Sequence, residues 1–210
     1  MLALKEPEIA KTLQQHRLVP GATNSHTVTV NEIKVTFTNT PHVSAEANTV
    51  ARTIGVTYSD PATKTHHATQ LIVILKKAVD SVGVTIVPLV HPTLKETLKF
   101  EISDPKGAPP APDFTFSAGW FGFAGSCSEA ETQEILTALN SAEGIAVRTA
   151  VSAIVAHFNW IAGLIVAFVL ASGPFLIGAF DNAGRKQGVC FIDSWAQIWW
   201  VQWNPVPWGF

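Results

Sequence analysis

The sequence predicts an α+β fold: an antiparallel β-sheet of six or seven strands followed by two helices, with an apolar helical C-terminal extension. Three observations predict it. Residues 27–103 hold successive short runs rich in Val, Ile, Thr and Phe, separated by polar turns. From Ser128 the apolar spacing changes to the helical period, with Ile135, Leu136 and Leu139 on one stripe. Thr149–Phe180 then contains no Asp, Glu, Lys or Arg. Strands first and helices afterwards place the helices on one side of an antiparallel sheet. The chain divides accordingly into an N-terminal arm at 1–25, a sheet and two-helix domain at 26–155, and an apolar, Trp-rich extension at 156–210.

The arm, with charges among its apolar residues, is a short amphipathic helix or a loose segment, and it lacks the continuous apolar core of a secretory signal. TVTVNEIKVTF, 27–37, alternates on both sides of Asn31-Glu32 and is a hairpin, although Asn-Glu is a weaker turn than Asn-Gly. TVARTIGVTY, 49–58, is a strand in which Gly55 marks a bulge or a close approach. A polar turn around Asp60-Pro61 leads back through Thr69–Lys77. There Leu71 to Leu75 is apolar at every position, so both faces of that strand need cover. Leu71, Val73 and Leu75 are expected on one buried sheet face under helices. Val84–Val90 and Thr97–Ser103 are further strands, DPKGAPPAPD is a proline-rich loop, and DFTFSAGWFGF, 113–123, is the last strand.

Ser128-Glu129-Ala130-Glu131 is a capping box: the serine caps the first turn and Glu131 reaches back. Asn140 to Gly144 ends that helix, and a second begins near 142–145. The uncharged stretch 149–180 exceeds the roughly twenty residues that span a bilayer. It is a transmembrane helix, a helical pair broken at Ser172-Gly173-Pro174, or a helix buried in an assembly. Trp195, Trp199, Trp200, Trp203 and Trp208 cluster beyond it, and Arg185 and Lys186 follow it directly. Such a cluster suits a membrane boundary or a protein interface.

Of the 210 residues, 47% are hydrophobic and 14% charged, which favours oligomers or membrane contact over a soluble monomer. The net charge of −2 argues against a protein that grips nucleic acid mainly by neutralising phosphates, though not against a local basic face. Cys127 and Cys190 stand far apart, without zinc or disulfide spacing, and are expected as buried free thiols in a reducing cytoplasm. His66-His67 would point to opposite faces of a strand and is expected as an exposed hairpin tip. No G-x-S-x-G, P-loop, G-x-G-x-x-G or H-E-x-x-H motif is present, so an enzyme is not expected and no cofactor is implied.

Three stretches together, ARTIGVTYSDPATKTHHATQLIVILKK at 51–77, DFTFSAGWFGFAGSCSEAETQEILTALNS at 113–141 and AEGIAVRTAVSAI at 142–154, carry a likeness in pattern and order. A long central hairpin is followed by a last strand, a capped helix and a second short helix. In this the chain resembles the coat protein of the small single-stranded RNA bacteriophages, the levivirus type, over about residues 26–155. The resemblance implies a viral structural protein: an interlocked homodimer in which each copy's helices cover its partner's sheet, tiling an icosahedral shell around genomic single-stranded RNA. It implies residence in the virion, with host cytoplasm as the place of assembly. It assigns Thr57 and Thr69 to an RNA-facing sheet surface, with Arg52, Lys76 and Lys77 nearby, and Leu71, Val73, Ile135, Leu136 and Leu139 to the dimer interface. Residues 156–210 have no counterpart in that family. The competing expectation is a membrane-anchored β-rich protein held by 149–180.

Overall fold

A computed structural model describes residues 6–103, 114–118, 122–140, 160–194 and 196–204. Helix α1 (Glu6–Gln15) leads into β1 (Leu18–Pro20), β2 (Asn24–Val30), β3 (Ile33–Ser44), β4 (Thr49–Ser59), β5 (His66–Lys77), β6 (Ser81–Val90) and β7 (Leu98–Ser103). These seven strands form one antiparallel sheet in the order β1-β3-β4-β5-β6-β7, with β2 also paired to β3. Strands β8 (Phe114–Ala118) and β9 (Gly122–Cys127), helices α2 (Glu129–Asn140) and α3 (Trp160–Ala183), and strands β10 (Val189–Ser194) and β11 (Trp199–Trp203) complete the described chain. The four late strands make a second antiparallel sheet, β11-β10-β9-β8.

The α+β class and the meander of strands are as the sequence predicts. The strand expected over 113–123 is instead two strands, and they belong to the second sheet. The residues expected to form the second short helix, from 142, and those of the proline-rich loop lie outside the described residues.

Local chemistry accounts for the turns. Asn31 and Glu32 both take positive φ, 47° and 67°, the mirror-image turn that suits the right-handed twist of a two-residue hairpin. The β4–β5 tip is built on Asp60, whose Oδ1 accepts the Ala62 N–H at 2.8 Å. The capping box is present: Glu131 N–H donates to Ser128 Oγ at 3.3 Å, and Ser128 N–H donates to Glu131 Oε2 at 2.9 Å. Gly55 answers to a close approach, because a Cβ there would stand 2.6 Å from Thr38 Oγ1.

Helix α3 lies between the two sheets, packed on β4, β5 and β6 on one side and on β10 and β11 on the other. Eight consecutive residues, Leu164 to Ala171, are buried, so the helix is enclosed all round. By length and composition Gly163–Ala183 also qualifies as a membrane span, with mean hydropathy 2.2, yet 72% of that span is buried within this fold. The helix breaks at Gly173, where φ 69° and ψ 170° leave the helical region. Pro174 follows and has no N–H, so the Leu170 carbonyl four residues back loses its helical partner. His91 Nε2, at 3.0 Å, supplies the replacement. The Leu94 N–H donates to His91 Nδ1 at 2.8 Å, which leaves Nε2 as the protonated, donating nitrogen.

The apolar run of β5 is covered on both faces by its own chain. Leu71, Val73 and Leu75 join one core with Leu164, Phe168 and other α3 residues. Ile72 and Ile74 pack on the opposite face with Leu18 and Ala51, bordered by Leu13 of α1. The expectation that a second copy covers this strand is corrected here: α3, from the stretch expected to be an appended extension, is the cover. Nor does the core divide at residue 155, since it runs from Val30 to Val201.

Candidate functional surface

Alternation along the strands gives the main sheet two unlike faces. One carries Val35, Phe37, Ile54, Val56, Leu71, Val73, Val84 and Ile86, and meets α3. The other carries Thr27, Thr36, Thr38, Thr40, Thr53 and Thr57 on three neighbouring strands, because Thr27 pairs with Thr36 and Thr36 with Thr57, and Thr40 pairs with Thr53. Hydroxyls bond across these strands: Thr27 Oγ1 lies 3.0 Å from Thr36 Oγ1, and Thr23 Oγ1 lies 2.6 Å from Thr40 Oγ1. Lys34, Lys76 and Lys99 stand exposed on the same face. Helix α1 covers part of it, through Leu13. At this face, His42 Nε2 lies 2.6 Å from Thr53 Oγ1, and burial holds the imidazole below its ordinary pKa.

The residues expected to face RNA do not share one surface. Thr57 is exposed on the threonine face. Thr69 pairs with Val56 and so lies on the α3 side, opposite Thr57. That is a correction, and its reason is the period of two: Thr57 pairs with Ala68, which puts Thr69 one residue out of phase. Lys76 is on the threonine face and holds Glu46 at 2.9 Å, which together with its charge lowers the Glu46 carboxyl below its ordinary pKa. Lys77 is exposed at the end of β5 on the other side.

Arg52 is corrected as well. Its Nη1 lies 2.5 Å from Asp193 Oδ2, with the two side chains 11% and 1% exposed. This ion pair ties the main sheet to β10 and does not reach outward. Burial pushes the Asp193 carboxyl up, and the Arg52 charge and hydrogen bond oppose that rise. Two further polar contacts run along the same seam: Trp199 Nε1 donates to the Thr38 carbonyl at 2.9 Å, and Asn39 Nδ2 donates to the Gln197 carbonyl at 2.7 Å.

The residues expected at a dimer interface are in the core of a single chain. Leu71 and Val73 are buried under α3, Ile135 is buried, and Leu136 and Leu139 pack against the same cluster. Sequence reasoning missed Asp193 and Trp199 as the pieces that lock the two sheets. Asp193 left a signal, a lone acid in the apolar run VCFIDS. Cys127 and Cys190 are buried free thiols, the latter pushed up to about 11 by burial, and neither is poised as a nucleophile. Tyr58 stacks on His67 at 4.7 Å and on Phe175 at 5.3 Å, fixing the hairpin tip against the break in α3. Among the described residues no three His, Cys, Asp or Glu side chains group as metal ligands. In comparisons with known proteins, no family model, no curated protein and no solved structure matches the chain.

Proposed function

We propose that the chain is a non-catalytic structural protein, a self-assembling coat-type subunit whose threonine face turns toward single-stranded RNA. The observation that supports this reading is the inequality of the two sheet faces. One is sealed by α3, and the other presents hydroxyls from adjacent strands with three lysines among them. Hydroxyls spaced along a strand suit the sugars and phosphates of an extended polar polymer, which accept and donate at every step. Unlike the interlocked arrangement expected from the sequence, each subunit roofs its own sheet, so copies would associate through finished surfaces. The location that follows is the virion, with assembly in the host cytoplasm.

Electron microscopy and filter binding on the full-length chain test the reading together. Regular particles that retain RNA are expected. With Lys34 and Lys99 available and Lys76 held by Glu46, the logarithm of affinity for single-stranded RNA should fall with the logarithm of salt at a slope of about −1.4. Thr57→Asp, at an exposed position, should weaken RNA binding at least tenfold while the chain keeps its native circular dichroism. A chain that forms no particles and binds no RNA contradicts the proposal.

A further inference from the structure

A cleft of 580 Å³ opens on the threonine-face side of the sheet, between the end of α1, the β3–β4 turn and β7. That size lies within the range of small-molecule pockets, roughly 300–1,000 Å³. Its floor is Ile74, Gly83 and Thr85, adjacent through the pairings Ile74–Thr85 and Lys76–Gly83. Gly83 is informative. Its φ is not positive, and a Cβ there would meet only the Lys76 carbonyl oxygen, at 3.8 Å, an ordinary contact. Neither backbone nor packing therefore demands glycine in the middle of β6, where it weakens a strand. What its missing side chain does is deepen the floor.

The walls carry both signs of charge. On one wall Glu46 and Lys76 pair at 2.9 Å and satisfy each other. On the other stand Lys99 and Glu101, two residues apart on β7 and on the same side. Among the described residues Lys99 makes no ion pair. Glu101 accepts a hydrogen bond from the Ser81 hydroxyl and likewise has no ion-pair partner there. The two lysines and two glutamates of the lining cancel, so a polyanion or a bare phosphate gains nothing overall from them. A molecule carrying one charge of each sign and an apolar body satisfies Lys99, Glu101 and Ile74 together.

We propose that this cleft binds a small zwitterion of the amino-acid or dipeptide type, its carboxylate toward Lys99, its ammonium toward Glu101 and its apolar side chain on the Ile74 floor. The cleft shares Lys76 and Lys99, but none of the threonines, with the proposed RNA-facing surface, and zwitterion binding stands without that reading.

Calorimetric titration of the full-length chain with glycyl-phenylalanine tests it, with the same dipeptide capped at both ends and inorganic phosphate as the other probes. The free dipeptide should bind and the capped form should bind at least tenfold more weakly. Lys99→Ala and Glu101→Gln should each weaken binding at least tenfold. Gly83→Val should fill the floor and abolish it without lowering the unfolding temperature of the chain. No binding of the free dipeptide at millimolar concentration overturns the proposal. So does equal binding of the capped form, binding that Gly83→Val retains, or phosphate binding in the dipeptide's place.

Discussion

Arg52 and Asp193 join the two sheets, and the energetics of the contact are those of a buried ion pair. The pair itself adds little against an apolar alternative, but removing one member strands the other charge at a cost of about 3–5 kcal/mol. The sign with pH follows from Asp193, whose carboxyl is raised by burial. A raised carboxyl contributes its stability below the unfolded value and loses it as pH rises through the folded value. Arg52→Met takes away the cation that limits that rise. Urea denaturation should therefore show a smaller loss for this variant under acid conditions that protonate Asp193 than at neutral pH, where the loss should reach about 3 kcal/mol or more. Equal losses at both would show that the acid is not buried against Arg52. Glu32 offers the opposite kind of change. Its φ of 67° is a strain that glycine does not feel, so Glu32→Gly should stabilise by about 1 kcal/mol in the same measurement.

The elements show how far the sequence could be read. The meander from β2 to β7 was legible because alternation and turn residues are local, and the capping box because its spacing is. The apolar run Leu71–Leu75 correctly called for cover on both faces. Its source was not legible, since composition cannot say whether an apolar helix at 160–183 meets lipid, a second copy or its own sheet. Strands β10 and β11 were read as part of an extension because β9, which pairs with β10 and so joins this hairpin to the second sheet, lies more than sixty residues earlier, beyond any local pattern. In α3, the break at Gly173-Pro174 was visible, but the histidine that repairs it sits eighty residues away on the β6–β7 connection. His91→Phe should leave the Leu170 carbonyl buried without a donor and cost about 1–3 kcal/mol, read by thermal unfolding. Val73→Asp, at 1% exposure beneath α3, should unfold the single chain and not merely prevent its assembly. A monomeric variant with native circular dichroism would place Val73 at an interface between copies instead.

For the whole molecule, the candidate surface was half legible. The sequence pointed to the central hairpin, where Thr57 is exposed, but it could not phase Thr57 against Thr69, because phase depends on a turn length that fixes register. Arg52 was misread for a related reason: a cation on a strand looks free until the distant acid that pairs with it is known. The fold that results is a layered one, with two sheets closed on one central helix and Trp199 stacked on Phe168 at 4.5 Å and edge-on to Phe37 at 4.9 Å. What distinguishes this arrangement from an interlocked pair of chains is which molecule α3 belongs to. Light and nitrogen-15-labelled chains, both carrying photo-leucine, would be unfolded together, refolded without detergent and irradiated, and the linked peptides from α3 and β5 weighed. Links between α3 and β5 should join peptides of the same isotope throughout. Mixed light–heavy pairs making up about half of those links would mean that the helix is lent by a neighbour, and the self-roofed subunit would be wrong.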